Sequence, residues 1–358
     1  MHFSQRAGLK DVAELAKTSV ATASRVLSGK GYASAEVTER VLDAARQLNY
    51  HPNLRARGLR QRSSQGIGLV IPNLLNAYYT ALADTASQLL MEAGYHLLLS
   101  STRDDPTLEQ AILRDMIGQD VAGLIWVPCA PSADLLQTLR DQHIPALSIV
   151  RRVPGDLLDT VVFADFRGSY AATQHLIALG HRRISYIGGD IRHSSNYARW
   201  QGYLAALRDA DVPPDEGLVH VSVPPSMVGD RAASRLLSLA SPPTAIFVAS
   251  NALMPGVMRT LRQGQIAVPD RISLICFDDI EWFSFSVPPI TAVQTSHTRL
   301  AEIAVTMLLQ RMHQPEDEPR PPQFVEVDFK LVLRSSTAPP GIVPQAARKL
   351  ATVDRIGL

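Results

Sequence analysis

Only two cysteines occur in the 358 residues, Cys129 and Cys276. They are far apart, and each lies inside or beside an apolar run. A disulfide framework is excluded, and both are expected to be buried core thiols. No Cys/His cluster has the local spacing of a zinc site, and the ten histidines are scattered, so neither a metal nor a cofactor is expected. No segment reaches 18 consecutive apolar residues, which argues against a membrane-spanning helix. The first ten residues, MHFSQRAGLK, hold no apolar run suited to a secretion signal. A phosphate-cradling glycine loop and a nucleophile elbow are both missing, and Gly188-Gly189-Asp190 reads as loop geometry beyond a strand. No catalytic residue is assigned, and the chain is not expected to be an enzyme.

Net charge is nearly absent too, at +1, but the balance is uneven. Residues 1–62 carry eleven Lys/Arg against five Asp/Glu, and the remainder carries 24 against 29. A basic head therefore precedes an acidic body, the footprint expected of phosphate binding.

The head reads as three short helices. Val12, Leu15 and Ala16 recur at i, i+3 and i+4, a single apolar stripe. Val26 and Leu27 can cover the same small core from a second helix, with Ser19 as its N-cap and Lys17-Thr18-Ser19 as the turn. That second helix, Val20-Ala21-Thr22-Ala23-Ser24-Arg25, carries small side chains, two hydroxyls and one Arg. Such a surface can approach base edges, with apolar contact to thymine methyls, Arg to guanine and hydroxyls to phosphates. A third helix, 36–48, buries Val37, Val41, Leu42, Ala45 and Leu48, with Ser34 as its cap. Beyond Pro52, Asn53 can cap a brief basic helix that includes Gly58, Leu59 and Arg60. Alone it is marginal, because so short a helix bears the full nucleation cost. The blander alternative is an amphipathic helical hairpin within an enzyme.

The body alternates apolar runs with helical patterns. Strands are expected at 68–71, 96–100, 123–127 and 146–150, then in a second series at 161–164, 184–188, 245–249 and 272–277. Helices are expected near 78–92, 107–118, 133–142, 168–179, 199–209, 227–240 and 252–263, with a last helix at 297–312 and strands within 324–334. This is α/β doubling: an all-α headpiece followed by two parallel doubly wound sheets in tandem. Pro315–Pro322 reads as an exposed loop, and the chain from Ser335 onward as loosely ordered.

The motifs LKDVA, SVATASRVLSGKGY, TERVLDAARQLNYHPN and ARGLR, followed by IGLVIPNLLNAYY, resemble the LacI/GalR family of bacterial transcriptional regulators. The resemblance spans roughly residues 8–335. It implies a helix-turn-helix headpiece at 8–52, a hinge helix at 53–62 and a periplasmic-binding-protein-like body at 66–335. Lobe 1 would hold about 66–163 and 293–323, lobe 2 about 164–291 and 324–335, and a tail 336–358.

By the same resemblance, Val20, Ala21 and Arg25 read bases, while Thr22 and Ser24 sit nearer the backbone. Asn53, Leu59 and Arg60 complete the DNA-binding set, with Leu59 as the minor-groove wedge. Tyr78, Tyr79, Arg199, Asn251 and Asp278 face the effector, with Arg151, His193, Ser195 and Trp282 as further cleft candidates. The implied partners are near-palindromic operator DNA, a second or further copy of the chain, and a sugar, sugar acid or sugar phosphate. The implied compartment is the bacterial cytoplasm, and the implied role is repression of carbohydrate genes. A carbohydrate receptor, or a carbohydrate enzyme with an appended helical domain, is the alternative.

Five departures from the family pattern stand out. Gly8 replaces a capping Thr, Lys17-Thr18 replaces Gly-Val, and Gly58 replaces a better helix former. Ala252 and Val150 stand where acids are usual. The last two suggest a cleft more positive than a neutral-sugar site, and hence an anionic effector.

Overall fold

The computed structural model describes residues 7–28, 32–50, 65–130, 132–155, 157–221, 229–315 and 320–341. The chain divides into two compact units, 1–64 and 65–358.

In the first unit, α1 (Leu9–Leu15), α2 (Val20–Ser28) and α3 (Ala35–Gln47) enclose Val12, Ala13, Ala16, Ala23, Val41, Ala44 and Ala45. Two leucines expected in that core lie outside it: Leu15 is 47% exposed and Leu42 44%. Ala13 and Ala44 take the inward positions, because a core this small closes around methyl groups. Ser19 and Ser34 cap α2 and α3 through the amides of Thr22 and Val37. Lacking a side chain, Gly8 cannot cap α1; instead its own N–H donates to the Asp11 carboxylate at 2.7 Å. The turn after α1 forces Lys17 to φ +51°, where a Cβ is strained.

The second unit contains two six-stranded sheets of matching order. The first runs β2 (His96–Ser101), β1 (Gly66–Ile71), β3 (Gly123–Trp126), β4 (Ala146–Ile149), β5 (Asp159–Phe163) and β11 (Phe324–Val327), all parallel. The second runs β7 (Val219–Val221), β6 (Ile184–Gly188), β8 (Ala245–Val248), β9 (Ser273–Phe277), β10 (Thr291–Thr295) and β12 (Phe329–Val332), with β12 antiparallel to β10. Nearly continuous apolar runs suit strands covered on both faces. The covering helices are α4 (Ala77–Glu92), α5 (Pro106–Gly118), α6 (Ala133–Asp141), α7 (Asp165–Ala178), α8 (Ser194–Asp209), α9 (Gly229–Leu237), α10 (Met254–Gln263) and α11 (His297–Met312).

Tertiary pairing corrects the strand assignment at three places. The 161–164 run belongs to the first sheet, not to the second series. The segment after 291 completes β10 in the second sheet, and 324–327 pairs in the first. The chain thus passes between lobes near 164, 296 and 328. Periodicity cannot show this, since β11 and β12 are short strands of similar character that pair in different sheets. The described residues after Ser335, 336–341, are docked rather than loose, and the rest of that expected loose tail lies outside the described residues. Ser336 is fully buried, donating to Leu274 O at 2.6 Å and accepting from Thr291 N at 2.8 Å, and Ala338 O receives Ser273 Oγ at 2.9 Å.

Candidate effector cleft and candidate nucleic-acid interface

In each sheet the strand order reverses at the first strand, which opens a crevice beyond the carboxyl ends. The two crevices face one another. A chamber of about 90 Å³ between them is lined by Tyr78, Tyr79, Arg151, His193, Ser195, Arg199 and Asp278, together with Asp104, Asp190, Ser250 and Ala252. It shares Asp104, Arg151, Asp190 and His193 with an outer chamber of about 1070 Å³.

Arg199 anchors the inner chamber. Its Nε donates to Asp165 Oδ1 at 2.7 Å, and its Nη1 donates to Ala249 O at 2.7 Å and Asp278 Oδ2 at 3.2 Å. The guanidinium lies 3.7 Å above the centre of the Phe277 ring. Gly202, one turn along α8, permits this placement. A Cβ there would meet Phe166 O at 2.3 Å, so the absence of a side chain lets α8 close on α7 and bring Arg199 to Asp165. Burial pushes Asp165 up to about 6 against the pull of Arg199. Asp278 is held left-handed at φ +69° and accepts from Thr295 Oγ1 at 3.1 Å.

At the outer end, Arg151 donates to Asp104 Oδ1 at 2.6 Å and to Pro128 O at 3.2 Å. Val150 before it sits at φ +63°, a strained conformation for a β-branched residue at the cleft wall. His193 lies 3.8 Å from Asp104 and is lowered to about 4 by burial and then by Arg151, so it is neutral at pH 7. Across the cleft, Arg152 N donates to Ser194 Oγ at 2.8 Å.

Tyr78 packs edge-on against Tyr79, Phe163 and His297, and its buried hydroxyl has no partner among the described residues. Asn251 is buried behind the wall rather than lining it, while its neighbours Ser250 and Ala252 face the chamber. Trp282 does not reach either chamber; it stacks edge-on with Phe283 on the second lobe's core. Cys276 is buried as expected, but Cys129 lines the outer chamber instead of the core.

Two carboxylates flank Arg199 and Asp104 pairs with Arg151, while Arg103 and Arg152 also line the outer chamber, so the cleft carries charges of both signs. Asp190 is matched by Arg192. Sequence reading overlooked Asp104 and Asp165, although each follows an apolar strand run, where cleft residues belong.

On the head, Val20, Ala21 and Arg25 are exposed along α2, Thr22 and Ser24 are half-buried, and Ala23 turns into the core. The Ser19 and Thr22 hydroxyls are 2.8 Å apart. Asn53, Leu59 and Arg60 lie outside the described residues.

A helix-turn-helix with an open, small-residue face, coupled in one chain to a two-lobed body around a polar chamber, defines the class of ligand-responsive DNA-binding regulators. Residues 8–53 match the family model for bacterial regulatory proteins, lacI family, and residues 173–337 match that for a periplasmic binding protein-like domain. The chain is 30% identical over 330 residues to the HTH-type transcriptional repressor PurR of Actinobacillus pleuropneumoniae serotype 5b (strain L20), covering 92% of this chain and 98% of the relative. It is 31% identical over 307 residues to the HTH-type transcriptional regulator GalR of Salmonella typhimurium (strain SL1344), covering 84% and 89%. Among solved structures it resembles the lac repressor dimer bound to operator and the anti-inducer ONPF, with a TM-score of 0.78, 25% identity and coverage of 93% and 100%. It also resembles the CelR–cellobiose complex, with a TM-score of 0.69, 27% identity and coverage of 92% and 100%. The chain belongs to the lacI family of bacterial transcriptional regulators.

Proposed function

We propose that this regulator represses carbohydrate genes as a homodimer on a near-palindromic operator in the cytoplasm, and that a neutral, hydroxyl-rich small molecule between the lobes sets its grip on DNA. Arg199, fixed between Asp165 and Asp278, is the observation that carries the ligand class. An Arg–Asp pair can hydrogen-bond adjacent hydroxyls, and because two carboxylates already flank Arg199, it offers no uncompensated charge to an anion. Tyr78 and Tyr79 add flat walls that suit a ring. The chain binds its ligand and does not turn it over.

A second copy fits the first lobe, where Leu75, Met91, Leu98 and Leu99 lie exposed. Two heads related by a two-fold axis require two half-sites. Effector and operator then each shift the other's affinity by the same factor, because both bias one lobe equilibrium. A gel-shift titration of the full-length protein on its own upstream duplex tests this, with a panel of neutral sugars, sugar acids and sugar phosphates. A neutral sugar is expected to change operator affinity. Equal binding to a duplex with scrambled half-sites at physiological salt would refute the DNA reading. A response confined to acids or phosphates would refute the ligand class.

A further inference from the structure

Three side chains of different chemistry converge where the inner and outer chambers meet. Asp104 follows β2, Cys129 follows β3 and His193 precedes α8. One donor atom from each lies within 4.8 Å of the other two. We propose that Asp104, Cys129 and His193 form a site for a zinc-like divalent transition metal that ties the two lobes together.

The donor set carries the argument. One oxygen, one sulfur and one nitrogen suit a borderline-soft ion, whereas calcium and magnesium call for oxygens alone. Three protein donors beside an open chamber match sites that keep a fourth position for water or a small ligand. Zinc–donor lengths of ~2.0–2.3 Å place tetrahedral donors roughly 3.5 Å apart. The atoms therefore need to draw in by up to about 1.3 Å. Asp104 and Cys129 stand on the first lobe and His193 on the second, so drawing in closes the cleft.

Surrounding groups are consistent with this. Arg151 donates to Asp104 Oδ1, the oxygen 3.8 Å from His193 Nε2, which places the guanidinium as the outer partner that orients a ligating carboxylate. The buried Glu109 accepts from the amides of Cys129 and Ala130 at 2.6 and 3.0 Å, and Asp105, Asp190, Arg103, Arg152 and Arg192 line the same outer chamber. His193 is neutral at pH 7 and ready to ligate. Burial lifts the Cys129 thiol to about 12, so metal binding must displace its proton.

The test uses the full-length, chelator-stripped protein without sugar or operator. Calorimetric titration with zinc is expected to show one ion per chain and release of the thiol proton, with affinity rising as pH rises. Cobalt(II) is expected to give sulfur-to-metal charge-transfer absorption. Cys129→Ser is expected to lose that absorption and to weaken zinc binding by at least about 10-fold, the scale seen for loss of even an outer partner. Its thermal melt without metal should match the parent's. Absence of the sulfur-to-cobalt band in the parent would overturn the proposal, and so would zinc binding by Cys129→Ser at parental strength. Neither outcome bears on the sugar reading, because no sugar is present.

Discussion

Arg199 is held on three sides, by Asp165, Asp278 and the Phe277 ring, so replacing it removes a shaped fork and not merely a charge. Arg199→Lys is expected to weaken effector binding by roughly 10- to 150-fold, the worth of about 1.5–3 kcal/mol of charged hydrogen bonding, while operator binding without effector persists. Calorimetry against a responsive sugar checks this. Asp165 gives a pH signature. Its carboxyl titrates near 6 in the folded body against 3.8 for the free side chain. The protonated form therefore favours the fold. That contribution is fully present below about pH 4 and is lost as pH rises through about 6. Denaturant melts from pH 4 to 7 should show the parent losing stability relative to Asp165→Asn, and parallel curves would contradict the assignment. In the head, Lys17 at φ +51° is strained, so Lys17→Gly should stabilise this unit by about 1 kcal/mol, read as a higher melting midpoint.

Helices α7 and α8 pack backbone to backbone at Gly202. Gly202→Ala drives a methyl toward Phe166 O, 2.3 Å from the ideal Cβ position. Relief requires the helices to part, at about 1–3 kcal/mol, and Arg199 then leaves Asp165. The expected result is a lower midpoint together with lost effector response, measured by thermal melts and gel shifts. At α2, Arg25 and Val20 stand out from the head while Ala23 anchors it. Arg25→Ala is expected to relax base preference at one position of each half-site at about 1–3 kcal/mol, with little change on non-specific DNA. A selection over randomised half-sites measures this directly.

At the scale of the whole molecule, the matching strand orders of the two sheets set two crevices face to face, and the chain crosses between the sheets near 164, 296 and 328. A ligand in the inner chamber would touch both halves, Tyr79 from the first and Arg199 from the second. Effector and operator must influence one another by a single factor, and unequal factors in the two directions would show that the sites do not share one equilibrium.

The alternation of apolar runs and amphipathic helices was enough to read the two α/β sheets, the helical head and the open face of α2, because period and capping are local properties. Arg199 and Asp278 were legible through the motifs around them. Contacts distant in sequence were not. Which sheet β5 and β11 join, the burial of Ser336, the acids that neutralise Arg151 and Arg199, and the meeting of Asp104, Cys129 and His193 all depend on through-space pairing. Those contacts exist only once the strands have chosen neighbours, a choice made by the packing of the whole body rather than by any single segment.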